Sequence, residues 1–446
     1  MYQKSSLILL AMCIPVLSTF AQLRQIKFVE YDLPNGLHVI LHEDHSTPIV
    51  AVTVMYHVGS KNENPSRTGM AHFFEHLLFE GSENIGRGEF SRYVENAGGV
   101  LNANTTNDRT FYYEVLPSNQ LELGMWLESE RMLHAKVENA GIETQREVVK
   151  EEKRQRVDNQ PYGRLLEETM KRAYVEHPYK WTTIGSMDHL NAASEAEFMD
   201  FYKTFYVPNN AVLSIAGDFD IKETKKMIAS YFGTIPRGTK EIPRPTIAEP
   251  TPTKEVRDTI WGKDQLPLVL EAYHIPAQGT PEFYAVDMLN KLLSDGESSR
   301  LNKAVVQEKE LALFCGAFSF ALENPGLTLA FAMANMGVDP MEVEQEMNEE
   351  ILKAQNTKVT DQEILKLKNK IESDFVNSNS SMAGIAESLA NYHMYLGEAN
   401  LINTEIDKYL AITAEDIQAA AKKYYTPENR VVLYFLYDEN YANPAQ

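Results

Sequence analysis

From residue 27 the chain alternates short runs of β-type patterning with longer stripes of helical period. Two strand-patterned runs, 27–33 and 37–41, flank Asn35-Gly36, a dipeptide that marks a tight hairpin. A third run, Ile49 to Tyr56, extends them into an expected meander, and a further strand pattern, Thr110 to Leu116, follows Gly98-Gly99. Between these lies the apolar and aromatic stretch from Gly69 to Phe79, which reads as a buried helix. Helical patterns recur at Gln120 to Leu133 and at Glu143 to Arg156, the latter stopped by Asp158-Asn159-Gln160-Pro161.

The pattern then repeats. Ser194-Glu195-Ala196-Glu197-Phe198 leading to Phe205-Tyr206-Val207-Pro208-Asn209-Asn210 reappears as Thr413-Ala414-Glu415-Asp416-Ile417 leading to Tyr424-Tyr425-Thr426-Pro427-Glu428-Asn429. His76-Leu77-Leu78-Phe79-Glu80-Gly81-Ser82 has its counterpart in Lys291-Leu292-Leu293-Ser294-Asp295-Gly296-Glu297. The stretch 235–256, with prolines at 236, 243, 245, 250 and 252, has the stiff, polar composition of a linker. The expected organisation is α+β, with two similar domains, 22–234 and 257–446, on either side of that linker.

On the Gly69–Phe79 helix, His72, Glu75 and His76 stand at i, i+3 and i+4 and so share a face. Two imidazoles so placed suit a catalytic zinc that takes a third protein ligand from elsewhere and keeps a position open for water. Glu75 is placed to take a proton from that water, in the inverted order of the H-E-x-x-H helix. The plainer alternative is two core histidines beside a solvated glutamate. The 143–156 helix could supply the third ligand: Gln145, Val148, Val149, Glu152 and Arg156 form one stripe, with Glu147, Glu151 and Arg154 outside it. Periodicity alone leaves Glu152 open between an inward ligand and one more surface charge. In the second half the positions of His72, Glu75 and His76 hold Asp287, Asn290 and Lys291, so only the first half can bind a metal in this way.

Lys4, the apolar run Leu7 to Leu17 and Ser18-Thr19-Phe20-Ala21 have the layout of a secretory signal, 1–21, too short to remain as a membrane span. Export to the periplasm or beyond is expected. Cys315 would then be the only cysteine, which excludes an internal disulfide. A formal charge of −21 argues against nucleic acid or an anionic membrane as partner.

With these residues in hand, the chain resembles the pitrilysin/insulinase family of zinc peptidases, in its half-length bacterial branch related to the mitochondrial processing peptidase. The resemblance is carried by Tyr56-His57-Val58-Gly59-Ser60, His72 to His76, Asn102-Ala103, Arg146-Glu147-Val148-Val149-Lys150-Glu151-Glu152, His177-Pro178-Tyr179 with Ile184-Gly185, and Tyr206-Val207-Pro208-Asn209-Asn210. It implies two homologous α/β-sandwich domains of the processing-peptidase-like metallohydrolase type. It makes His72, His76 and Glu152 the ligands of one Zn2+ and Glu75 the general base. It implies that Asn102 and Ala103 lie on an exposed edge strand to which an extended peptide substrate adds by backbone pairing.

Two departures from the family pattern stand out. A supporting glutamate seven residues before the third ligand is replaced by Gln145. The arginine and tyrosine, seven apart, that hold substrate and oxyanion in active single-chain relatives are replaced by Gln307 and Phe314. The resemblance therefore implies a zinc-bearing metalloendopeptidase subunit that works as a heterodimer with a zinc-less homologous chain carrying the arginine and tyrosine. A homodimer is the runner-up, and the rival reading is a silent scaffold or processing partner.

Overall fold

The computed structural model describes residues 25–439, so the 1–21 secretory reading lies outside the described residues. Among the described residues eleven strands form two sheets. The first is built from β1 (Val29–Asp32), β2 (His38–Glu43), β3 (Ile49–Tyr56), β4 (Val100–Thr105), β5 (Thr110–Pro117) and β6 (Ala211–Gly217), in the order β1-β2-β6-β3-β5-β4. The second is built from β7 (Val256–Gly262), β8 (Leu268–Ile275), β9 (Ala312–Phe320), β10 (Gly326–Ala334) and β11 (Arg430–Tyr437), in the order β7-β11-β8-β10-β9. The helices of the first half are α1 (Met70–Leu77), α2 (Glu89–Asn96), α3 (Leu121–Leu133), α4 (Asn139–Lys153), α5 (Leu165–Ala173), α6 (Met187–Ala192), α7 (Glu195–Phe205) and α8 (Ile221–Tyr231). Those of the second half are α9 (Pro281–Ser294), α10 (Pro340–Asn356), α11 (Asp361–Ser378), α12 (Met382–Leu396), α13 (Leu401–Leu410) and α14 (Ala414–Tyr424). Residues 236–255 form neither helix nor strand.

The Asn35-Gly36 turn closes the β1–β2 hairpin. Gly36 takes φ +88°, and a side chain there would collide with Arg237 and Asn209. The expected meander does not form, because β6 enters between β2 and β3, parallel to the first and antiparallel to the second. Its fully buried composition, Ala-Val-Leu-Ser-Ile-Ala-Gly, is that of a central strand, and a strand so far downstream of β3 is invisible to local pattern.

The second sheet repeats the first without β1. Tyr56 of β3 pairs with Thr110 of β5, as Tyr273 of β8 pairs with Thr328 of β10. Thr110 pairs with Thr105 of β4, as Thr328 pairs with Ser319 of β9. The repeated helix-to-strand motif is stapled the same way twice. Asn210 donates to the carbonyls of Phe205 and His57, and Asn429 to those of Tyr424 and His274. The capping boxes Ser194/Glu197 and Thr413/Asp416 start the matching helices α7 and α14.

The two halves share their cores across the extended stretch. α12 of the second half covers one face of the first sheet, where Ile385, Ala386 and Leu389 pack on Ile40, Met55, Phe111 and Val212. In return α5 places Met170 and Ala173 on Leu268, Leu270, Leu329 and Leu433 of the second sheet. A buried ionic cluster joins the halves at Lys61. Its ammonium lies 2.8 Å from Asp108 and also contacts Glu323, which His57 approaches to 2.7 Å. His57 thus has a structural role at the seam.

Candidate functional site

The face of α1 opposite its two histidines is held by packing. Met70, Phe73, Phe74 and Leu77 are buried, with the ring of Phe73 4.6 Å from Phe198 and that of Phe74 5.4 Å from Phe201 on α7. The start of the helix is held by Glu63, whose carboxylate accepts from the N–H groups of Gly69 at 2.9 Å and Ala71 at 2.8 Å. Burial pushes the Glu63 carboxyl up to about 8 despite these donors. The far end is held by Arg131, which donates to the Leu78 carbonyl from a fully buried position between Glu114 and Glu128.

This anchoring turns His72 and His76 toward α4. His72 Nε2 lies 3.4 Å from His76 Nε2, and Glu152 Oε2 lies 3.5 Å from the first and 3.1 Å from the second. Donors arranged tetrahedrally at about 2.0–2.1 Å from a zinc ion stand about 3.3–3.4 Å apart, so the three atoms fit the base of such a site. Glu152 Oε2 is buried with no hydrogen-bond donor aligned to it, a cost that a cation would remove. Burial pushes His72 down to about 4, which keeps the ring in the neutral form a metal requires. Glu152 is held below the usual carboxylate range, chiefly by the His76 ring, and its other oxygen meets Arg156 at 2.6 Å.

Glu75 shares that face without joining the three donors. Its carboxylate accepts a 2.7 Å hydrogen bond from the Thr105 hydroxyl at the end of β4. Burial raises its pKa, and the Thr105 bond opposes the rise. A carboxylate with a raised pKa, steered by one donor, is suited to accept and return a proton. β4 is one of the two edge strands of the sheet, so Asn102 and Ala103 lie on an edge, although the Ala103 side chain is buried against the core. Asn102 is exposed, and its Oδ1 accepts from the Ala103 N–H at 2.9 Å, which leaves that N–H out of the β5 ladder.

The stripe read on α4 is shifted. Val149 is fully buried, but Val148 is 43% exposed, because the buried line runs through Ile142, Arg146 and Val149 and leaves Glu152 at its margin. Gln145 does not reach the three donors. It donates to Glu80, one turn beyond His76, at 2.5 Å. Thr105, Glu63 and Arg131 are not singled out by the sequence, because each acts through a tertiary contact and stands among polar neighbours.

The second half shows what replaces the donors. Asn290, matching Glu75, donates to Ser319, which matches Thr105 in register. Lys291, matching His76, pairs at 2.9 Å with Asp374, which lies thirteen residues into α11 (361 to 374) as Glu152 lies thirteen into α4 (139 to 152). An ammonium thus meets the carboxylate directly. Gln307 lies at the end of the turn that precedes β9, and Phe314 lies on that strand. The Gln307 amide is spent on the Glu297 carbonyl and Asn302, and Phe314 is exposed on β9.

Comparison with known proteins agrees with this architecture. The model of the insulinase family (peptidase family M16) matches residues 38–186, and that of the peptidase M16 inactive domain matches 192–371. The Helicobacter pylori protein named zinc protease PqqE is 30% identical over 403 residues, 90% of each chain. The chain belongs to peptidase family M16. A solved structure described as a protease from Helicobacter pylori shares the M16 fold at a TM-score of 0.88 and 28% identity, covering 92% of this chain and 99% of that one. The first half of the periplasmic protease PqqL from Escherichia coli has the same fold at a TM-score of 0.74 and 19% identity, covering 95% and 94%. No helix among the described residues is long and apolar enough to cross a membrane.

Proposed function

We propose that this chain is the zinc-bearing subunit of an exported, two-chain metalloendopeptidase that hydrolyses peptides or unfolded segments inside a chamber enclosed by the two chains. The observation that carries the reading is the convergence of His72 Nε2, His76 Nε2 and Glu152 Oε2 within 3.5 Å beside Glu75 and the free edge of β4. His72, His76 and Glu152 would hold Zn2+, which when bound supplies Lewis-acid polarisation and lowers the pKa of water. Glu75 accepts the proton of the attacking water on its free oxygen while Thr105 holds the other, and then returns that proton to the leaving amine. The outer edge of β4 at Asn102 and Ala103 pairs with the substrate backbone, which aligns the scissile bond with little regard to side chain. Export rests on the character of residues 1–21 and agrees with the periplasmic description of the Escherichia coli relative.

The need for a second chain rests on Gln307 and Phe314. Loss of one oxyanion donor costs about 100- to 1000-fold in turnover, so a lone chain is expected to be slow. A zinc-less homologue bearing the arginine and tyrosine would supply them, and a homodimer would not. The spent amide of Gln307 also favours a second reading, a catalytically silent scaffold or processing partner.

The experiment is hydrolysis of a quenched fluorescent peptide library by the chain alone and mixed with a zinc-less homologue, with and without chelator. Chelator-sensitive cleavage confined to the mixture supports the proposal. Ordinary peptidase rates from the chain alone overturn the two-chain part, and zinc-loaded silence in every pairing favours the scaffold.

A further inference from the structure

We infer that Glu30, His38 and His393 form a second divalent metal site on the seam between the two halves, with Asp32 behind it. The site shares no residue with the first and is independent of the peptidase reading. Its parts come from opposite ends of the chain. Glu30 and Asp32 lie on β1 two residues apart, hence on one face, and His38 of β2 pairs directly with Asp32. His393 arrives on α12, the helix that the second half lays across the first sheet. One donor atom from each of Glu30, His38 and His393 falls within 4.8 Å of the others.

The local chemistry calls for a cation. Asp32 Oδ1 lies 2.8 Å from His38 Nδ1, so Nδ1 carries the proton and donates it, and Nε2 is left with its lone pair. That lone pair faces Glu30 Oε2 at 3.3 Å. Two acceptors at this distance repel unless a positive species lies between them, and 3.3 Å is the spacing of two donors on one tetrahedral zinc ion. Carboxylate, imidazole and metal in series form a relay that fixes tautomer and ring orientation in metal sites. The His393 ring lies flat on that of His38, centroids 3.4 Å apart and 8° from parallel. Neither of its nitrogens has a hydrogen-bond partner among the described residues. Coordination by His393 requires its ring to turn out of the stack, and Glu30, 43% exposed at its side chain, leaves an entry path and room for water. A donor set of two imidazoles and one carboxylate suits Zn2+, Ni2+ or Cu2+ over Ca2+ or Mg2+.

The test uses the untagged full chain carrying His72→Ala and His76→Ala, so that the first site is disabled, and reads Zn2+ binding by calorimetry and the zinc-dependent rise in melting temperature. One Zn2+ per chain is expected. Glu30→Gln and His393→Ala should each weaken binding by at least about tenfold, and Asp32→Asn by about 10- to 100-fold. Glu30 is at the surface, so its substitution leaves the fold intact even if His393→Ala loosens α12. Absence of zinc binding at millimolar metal, or binding that ignores both Glu30→Gln and His393→Ala, overturns the site and leaves a proton on His38 as the cation.

Discussion

Replacing Arg131 with methionine should destabilise the first half in a way that depends on pH. Arg131, Glu114 and Glu128 have no exposed side-chain surface, and the guanidinium is also stacked on Phe79, Phe90 and Tyr112 at 4.2–4.5 Å. Burial, then the neighbouring Glu128, pushes Glu114 well above the usual carboxylate range, so one positive charge balances the pair. Methionine keeps much of the packing and removes that charge, and the carboxylate left over must take up a proton on folding. A glutamate ionised in the unfolded chain near pKa 4.3 and neutral in the folded one costs about 1.4 kcal/mol per pH unit above that value. The difference between Arg131→Met and wild type is therefore about 4 kcal/mol near pH 7.5 and about 1 kcal/mol near pH 5, in line with the ~3–5 kcal/mol for breaking a buried pair. The sign follows from a folded pKa above the unfolded one: stability is present below the unfolded pKa and is lost as pH rises. Urea unfolding at both pH values measures it, and a second change, Glu128→Gln, should recover most of the loss and flatten its pH dependence. A gap below about 1 kcal/mol near pH 7.5, or one equal at both pH values, would refute the reasoning.

Three further outcomes follow from the site. Thr105→Val removes the donor that lowers the Glu75 pKa, so the acid limb of the kcat/KM profile should move up by about one unit, since a hydrogen bond to a charged group is worth ~1.5–3 kcal/mol and each unit is 1.36. An unmoved limb would detach Thr105 from the base. Ala103→Pro deletes an N–H that β5 does not use and that donates to Asn102 Oδ1, so KM should rise about 2- to 10-fold by steady-state kinetics, with circular dichroism checking that the buried position takes the ring without unfolding. Chelation should lower the melting temperature of the wild type, because an ion held by His72, His76 and Glu152 would tie α1 to α4 and contribute about 2.7 kcal/mol at a hundredfold excess over Kd; a chain without His76 should not respond at that site.

Much of the first half was legible in the sequence because its signals are local. The helix holding His72, Glu75 and His76, the Asn35-Gly36 turn and β3 all lie where periodicity put them, and the internal repeat pointed to two similar halves, which the structure shows as two sheets with matching register. What local pattern could not show was the order of elements in space. β6 enters between β2 and β3, and α5 and α12 cross to the opposite sheet, because a strand or helix that is apolar on the correct face does not name its partner. The same limit explains α4. A helical stripe of Val148, Val149 and Glu152 was a sound reading of period, but the burial line turns on Arg146, a long side chain that buries its stem. Thr105, Glu63 and Arg131 support the site from other elements, and nothing within a few residues of them announces the role.

The most direct test of the central claim separates holding the metal from moving the proton. Glu75→Gln and Glu152→Gln chains are dialysed, analysed for zinc that survives dialysis, and assayed on a quenched fluorescent peptide in the pairing that gives the wild type its activity. The account predicts that Glu75→Gln keeps the zinc and loses about 100- to 10,000-fold in turnover, whereas Glu152→Gln loses both. Zinc lost from Glu75→Gln, or retained by Glu152→Gln with full turnover, would contradict the roles assigned to these two carboxylates.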